Sequence, residues 1–239
     1  MLASLKTYYQ RQMMRPGFVG LFVNPFYFAR RELFHAVREL SRDINGRVLD
    51  VGCGTRPYES LVAAREYVGL ELDTPENRRT KNADVYYNGH KLPFEDRSFD
   101  AVICNQVLEH IFEPDAFLRE IARVLKAGGK LLLTVPFVWD EHEQPRDFGR
   151  YSSFGLAALL DRNGFRILRH AKTAADVRTL FQLANAYLYK VTVTRSAYAN
   201  LLITLVLMAP FNLLGTLLAW LTPGNQDLFL DNVVLAERA

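Results

Sequence analysis

Charge is what this chain lacks over its longest stretch. Between Arg195 and Asp227 there is no Asp, Glu, Lys, Arg or His, although charged residues make up 23% of the whole. So long a gap excludes an ordinary solvated surface segment and calls for an apolar surrounding. Cysteine is also scarce. Cys53 and Cys104 are the only two, and neither sits in a pairing or metal-ligand pattern. That excludes a disulfide framework and a thiolate metal site, and it fits a reducing compartment. A net charge of +3 gives no argument for nucleic acid as a partner. Repeats and low-complexity segments are absent. The N-terminal stretch carries Lys6, Arg11 and Arg15 without an apolar run long enough for a signal peptide. With 239 residues, 49% of them apolar, one domain with an elaboration is expected.

What is present alternates. Residues 1–27 are aromatic and basic, broken at Pro16-Gly17 and Asn24-Pro25. Residues 28–42 read as an amphipathic helix with Phe28, Leu33, Phe34, Val37 and Leu40 on one face. Strands are expected at 47–51, 67–72, 84–87, 99–104, 130–136, 165–169 and 231–237. Helices are expected near 59–65, over 115–126 with Gly128-Gly129 as its end, and over 152–162 closed by Asn163-Gly164. Such alternation predicts an α/β fold, a Rossmann-like, doubly wound and mostly parallel sheet. The expected divisions are an N-terminal helical segment (1–44), a core (45–170), an apolar helical insertion (171–230) and a final core strand (231–239).

The first strand ends in Val48-Leu49-Asp50-Val51-Gly52-Cys53-Gly54. Two glycines after an acidic strand end let backbone approach a nucleotide-like ligand closely. Glu71 lies at the end of the next strand, where a carboxylate can accept from ribose hydroxyls. A dinucleotide fingerprint needs glycine at the place held by Pro57, so that cofactor class is excluded.

Asp50–Gly54, Leu92-Pro93-Phe94 with Ser98-Phe99-Asp100, Asn105-Gln106-Val107-Leu108-Glu109-His110 and Leu125-Lys126-Ala127-Gly128-Gly129 stand in this order. Over roughly residues 45–170 the chain resembles the class I S-adenosylmethionine-dependent methyltransferases, most closely the ubiquinone/menaquinone-biosynthesis-like subgroup. The resemblance implies a seven-stranded sheet with an antiparallel last strand and S-adenosyl-L-methionine as cofactor. It implies that Asp50 supports the turn and the methionine amino group, and that Gly52, Cys53 and Gly54 pass the methionine and ribose. Glu71, with Leu72 beside it, would take the ribose. Asn88 and Gly89 would meet the adenine, and Asn105 and Gln106 the methionine region. Two positions depart from the pattern. Arg56 replaces a glycine and is left either to pair with the cofactor carboxylate or to face solvent. Asn88 replaces an aspartate, so its contact lacks charge assistance.

Methyl transfer asks the protein to align the acceptor, exclude water and, for a hydroxyl, take its proton. In this fold the acceptor lies beyond the carboxyl ends of the strands, so the loop 137–151 is the place to look. An imidazole titrates near neutrality, which makes His142 the candidate general base. Asp147, Arg150 and Tyr151 resemble a segment common among relatives. They are candidates for the acceptor site, with an architectural Asp147–Arg150 pair as the alternative. His110 faces the cofactor region in relatives. No metal is expected.

Residues 198–221 could cross a bilayer by length. If 231–237 complete the sheet, however, both ends of the stretch must lie on one side. Pro210 and Asn212 then predict two short helices in the membrane interface or a shallow re-entrant hairpin, with Tyr198 and Trp220 at headgroup level. Lys190, Arg195 and the N-terminal arginines would add attraction to anionic lipid. A buried hairpin or a homodimer contact is the alternative. The expected function is methyl transfer to a hydroxyl of an apolar acceptor, a lipid-linked saccharide or isoprenoid-type compound. The enzyme would be cytoplasmic and peripheral on the inner membrane face. A resemblance in the "NPFY…RR" layout prompts the saccharide. A soluble quinone-ring methyltransferase and a non-catalytic membrane scaffold are the rivals.

Overall fold

The computed structural model describes residues 2–239, with side chains described from Thr7 onward. Three helices, α1 (Leu2–Met14), α2 (Gly20–Val23) and α3 (Tyr27–Leu40), precede β1 (Asn45–Val51). β2 (Ala63–Leu72), α4 (Pro75–Thr80), β3 (Val85–Tyr87), β4 (Phe99–Asn105), α5 (Pro114–Val124), β5 (Leu125–Pro136), α6 (Ser153–Arg162) and β6 (Phe165–Lys172) follow. Then come α7 (Arg178–Thr192), a long apolar helix and β7 (Asp231–Arg238). The chain divides into two compact units. One is helical and holds residues up to His35, Val138–Asp140 and Lys172–Leu230; the other holds the sheet.

In the sheet unit seven strands run in the order β3-β2-β1-β4-β5-β7-β6. β1 to β5 pair in parallel, and β7 is antiparallel to β5 from Pro136↔Asp231 to Lys130↔Glu237. The expected mostly parallel α/β sheet is therefore present. Its strands read as near-continuous apolar runs because both faces are covered, and Leu49, Leu70, Val102, Leu131 and Leu133 are fully buried. Full burial of each such side chain stabilises by about 1.5–3 kcal/mol. Strand order reverses between β1 and β4, and ligands in open α/β sheets bind at that switch point.

Three local expectations fail. A helix at 59–65 does not form. One 3-10 turn, Glu59–Leu61, leads straight into β2, because Ala63 and Ala64 pair with Asn45 and Gly46 of β1. Gly128-Gly129 does not cap α5, which ends at Val124 because Leu125 pairs with Phe99. The glycines instead form a bulge. Gly128 has φ +71°, and a Cβ on Gly129 would sit 2.9 Å from the Lys126 carbonyl oxygen. The uncharged stretch is not two short helices. It is one 25-residue helix, Ala197–Leu221, carrying a π turn at Thr204–Met208. The wider turn just before Pro210 accommodates a residue without an N–H. Asn212 does not break the helix because its side chain is fully buried and bonded. α4 was not expected, although Thr74-Pro75 is a plain start signal. Thr74 caps it, accepting from the Asn77 N–H at 3.1 Å.

In the helical unit α7 and the apolar helix pack antiparallel. The Asn185 amide donates to Asn212 Oδ1 at 2.9 Å, and the Phe181 and Phe211 rings lie 6.1 Å apart. Gly215 is needed at this contact, since a Cβ there would meet Phe28 and Phe181 at 2.9 and 3.0 Å. Arg178 bonds Glu32 and Asp176, fixing the start of α7.

Candidate active site at the carboxyl edge of the sheet

The glycine turn follows β1 at the switch point. The Gly52 and Cys53 N–H groups both donate to the Leu70 carbonyl. Gly52 has φ +72°, and a Cβ there would lie 2.4 Å from Val107, so only glycine lets the post-β1 and post-β4 loops meet. A Cβ on Gly54, at φ +54°, would meet nothing within 4 Å. That is open space beside the backbone of the turn. The Cys53 side chain points away beneath the turn, where burial pushes its thiol up to about 12.

Two carboxylates line this turn. Asp50 is buried, and burial lifts its carboxyl to about 7, with Glu71 adding to the rise. The Tyr67 hydroxyl donates to it at 2.6 Å. Glu71, also buried, accepts from the Gly54 N–H at 2.9 Å on one oxygen. Its other oxygen accepts from the Leu72 N–H and the Asn77 amide. A carboxylate has about four acceptor positions, so a position remains on the first oxygen. The open turn, that position and an unneutralised buried Asp50 fit a ligand with hydroxyls and an ammonium group.

Other expected cofactor residues are engaged elsewhere. Arg56 neither reaches the turn's ligand side nor points to solvent. Its guanidinium pairs with Asp84, donates to the Asn82 carbonyl at 2.5 Å and lies over the Tyr67 ring. Gly69 leaves room for it. Asn88 and Gly89 form an exposed turn, in which the Asn88 side-chain oxygen accepts from the His90 N–H at 3.2 Å. Leu72 is partly buried beside Gly89. Asn105 accepts from the Thr134 hydroxyl at 2.8 Å. The Gln106 amide donates to Thr134 and to Asp231, stitching β4 to β5 and β7. The side chains of Asn105 and Gln106 are thus turned into the sheet. Gln106 has φ +54° and Arg56 φ +56°, left-handed values that cost a non-glycine residue energy and gather at functional sites.

Beyond β4 and β5 a second cluster forms. The His110 and His142 rings meet edge to face at 5.0 Å. His110 Nδ1 lies 2.6 Å from the Arg146 carbonyl oxygen, and His142 Nδ1 lies 3.3 Å from Asp147. Asp147 also accepts from the His142 N–H and is clamped by Arg150 in a two-pronged pair at 2.5 and 2.7 Å. That guanidinium holds the Asp147 carboxyl down at about 2. The Asp147–Arg150 pair has the architectural geometry, pinning the loop while orienting His142. Tyr151 is half-buried against the core, and its carbonyl accepts from Asn232 at 2.7 Å.

Sequence reasoning passed over Glu109. It is fully buried, neither carboxyl oxygen has a hydrogen-bond partner, and burial raises it to about 8. Ligand atoms of Glu109, His110 and His142 all lie within 4.8 Å of one another, close enough for a single metal ion to bridge them. Glu109 sits beside His110 in sequence, but nothing in the sequence announces that the irregular loop brings His142 onto them.

Residues 49–133 match the model of the methyltransferase domain. A probable S-adenosylmethionine-dependent methyltransferase of Mycolicibacterium smegmatis is 34% identical over 125 residues, 49% of this chain and 48% of that protein. A fatty-acid O-methyltransferase of the same organism is 36% identical over 116 residues, 43% of this chain and 42% of that protein. The chain spans about half the length of the curated relatives it matches. Among solved structures, the [4+2]-cyclase SpnF superposes with TM-score 0.56 at 21% identity, covering 88% of this chain and 82% of its own. A phosphoethanolamine N-methyltransferase of Haemonchus contortus with bound S-adenosylhomocysteine gives 0.54 at 18%, covering 92% and 56%. At such identities these structures show the fold alone. Together the matches support a class I methyltransferase domain with S-adenosyl-L-methionine as its cofactor. They do not single out the ubiquinone/menaquinone subgroup.

Proposed function

We propose that this chain transfers a methyl group from S-adenosyl-L-methionine to a hydroxyl of an apolar acceptor, a lipid-linked saccharide or isoprenoid-type compound at a membrane surface. The observation that carries the reading is the meeting of two clusters at one sheet edge. An open glycine turn with two buried carboxylates lies after β1, and a histidine held by Asp147 lies after β5. When bound, the cofactor supplies a methyl already activated on a sulfonium. Asp50 holds the amino end and the Glu71 carboxylate accepts from the ribose. His142, kept in register by Asp147 at Nδ1, takes the acceptor's proton at its other ring nitrogen.

Two features support the apolar acceptor. The insertion leaves the sheet unit after β6, at the carboxyl edge where acceptors bind in this architecture. One relative, the fatty-acid O-methyltransferase, acts by name on a lipid. Titration calorimetry with S-adenosyl-L-methionine tests the first half of the reading. Wild type should bind, and Asp50→Ala and Glu71→Ala should weaken binding at least about tenfold, about 1.4 kcal/mol. Absence of binding leaves a scaffold with this fold. Transfer of labelled methyl into the organic phase of a membrane extract tests the acceptor. Label found only in water-soluble products would overturn it. An unchanged rate in His142→Ala would favour a ring-carbon acceptor.

A further inference from the structure

The helical unit buries a small apolar centre, Leu21, Tyr27 and Phe28, and a set of amides beside it, Gln12, Asn24, Gln182, Asn185 and Asn212. Gln182 accepts from the Phe28 and Ala29 N–H groups and donates to the Pro25 carbonyl. Asn212 donates to the Leu21 and Asn24 carbonyls. Asn24 donates to the Gln12 carbonyl. Along the apolar helix the inward positions are Thr204, Met208, Asn212 and Gly215. The outward ones include Tyr198, Leu202, Val206, Leu213, Leu217 and Trp220, spaced three, four or seven residues apart, the two ends being 89% and 91% exposed. Water would favour the reverse. Where the surroundings are themselves apolar, burying leucine against leucine gains little, and helices are held by small residues and side-chain hydrogen bonds.

We infer that the outer face of this unit is embedded in the surface of an anionic lipid bilayer, with the apolar helix lying in the membrane plane rather than crossing it. The depth follows from helix length. The apolar helix packs antiparallel to α7, so if it crossed, α7 would cross with it. α7 has 15 residues, about 22 Å at 1.5 Å per residue, short of the roughly 30 Å hydrocarbon core. It also contains Arg178 and Lys190. The exposed aromatic ends, Tyr198 and Trp220, suit the headgroup level on either side of an in-plane leucine stripe. Charge selects the lipid. The helical unit holds nine lysines and arginines against four acids, and three of those acids are ion-paired to Arg178 or Lys190. Arg11, Arg30 and Arg195 are exposed, and a cationic surface beside an apolar stripe binds phosphatidylglycerol-like headgroups.

Flotation of the full-length protein tests this. It needs neither cofactor nor acceptor, so its outcome is separable from that of the methyltransferase reading, on which the inference rests only for its purpose. Wild type should float with vesicles of equal parts phosphatidylcholine and phosphatidylglycerol, with Trp emission shifted to the blue, and float far less with phosphatidylcholine alone. The triple variant Leu202→Glu, Leu213→Glu, Leu217→Glu should stay in the pellet fraction while binding S-adenosyl-L-methionine like wild type. Should that triple variant misfold, Trp220→Glu alone should still lower flotation and leave cofactor binding intact. Each of Arg11→Gln and Arg30→Gln should lower anionic partitioning about fivefold. Equal flotation on both vesicle types, undiminished flotation of Trp220→Glu, or a stable dimer that removes the leucine face from vesicles would overturn the inference.

Discussion

The sheet unit and the helical unit solve burial in opposite ways. In the sheet unit the interior is leucine, valine and phenylalanine, and the buried polar groups include four acids, Asp50, Glu71, Glu109 and Asp231, beside the neutral Ser41, Thr134, Asn163 and Asn232. In the helical unit the buried polar groups are neutral, five amides and the threonines Thr173, Thr179 and Thr204, the amides bonded to one another and to backbone N–H and carbonyl groups, while leucines of the apolar helix face out. Burial raises Asp50 and Glu109 in pKa, so each responds to a cation that arrives. A bonded amide needs none and does not titrate. The difference separates a region built to respond to a ligand from one built to hold its shape in an apolar surrounding.

The sharpest way to break the contrast is to make the helical unit conventional. Asn212→Leu should be far from conservative. It strips the Leu21 and Asn24 carbonyls of their Asn212 donor and leaves the Asn185 amide only the Met208 carbonyl, and should destabilise that unit by about 3 kcal/mol, read as a lower melting temperature in detergent-free buffer. A neutral or stabilising result would mean that the amides are incidental. In the sheet unit Arg150→Ala should cost about 3 kcal/mol, because Asp147, almost wholly buried, keeps its charge without its ion pair. The loss should shrink as pH falls toward 2. Wild type then loses the benefit of an Asp147 carboxyl held below its usual value, a benefit present above pH 4.

How much of this was legible beforehand differs between the units for a physical reason. The alternation of strands and helices, the glycine turn and the place of Glu71 at a strand end follow from short-range patterns, because apolar runs and tight turns are written locally. The fate of Arg56 was not, since its partner Asp84 belongs to another strand's approach. Nor was the Gly128-Gly129 bulge, where pairing of Leu125 with Phe99 overrode a helix stop signal. The His110–His142 contact depends on a loop with no period at all. In the helical unit, the absence of charge was visible. The continuity of the helix was not, because a proline normally argues for a break and the π turn that absorbs it has no signature of its own.

Titration separates the units more finely. Glu109 has a folded value near 8 against an ordinary 4.5. Between those values the folded protein keeps a proton that the unfolded chain has lost. Stability therefore falls as pH rises from about 4.5 to about 8, and the full penalty stands above that. Glu109→Gln mimics the protonated acid and should flatten this slope in denaturant melts across pH. Asn185→Asp should introduce a new slope of the same sign in the helical unit, whose buried amides contribute none.

The smallest effect is the most specific. Asp50 sits near 7 because it is buried beside Glu71, so near neutrality about half of the ligand-free protein carries a proton there. An ammonium group arriving at the turn favours the carboxylate and lowers that value. Binding of S-adenosyl-L-methionine should then release a fraction of a proton at pH 6.5 to 7, and affinity should rise with pH through this range until Asp50 is ionised without the ligand. Calorimetry in buffers of different ionisation enthalpy reads the released proton directly. Asp50→Asn should abolish the release while keeping the Tyr67 contact. Proton uptake, or release unchanged in that variant, would place the ammonium somewhere other than on Asp50.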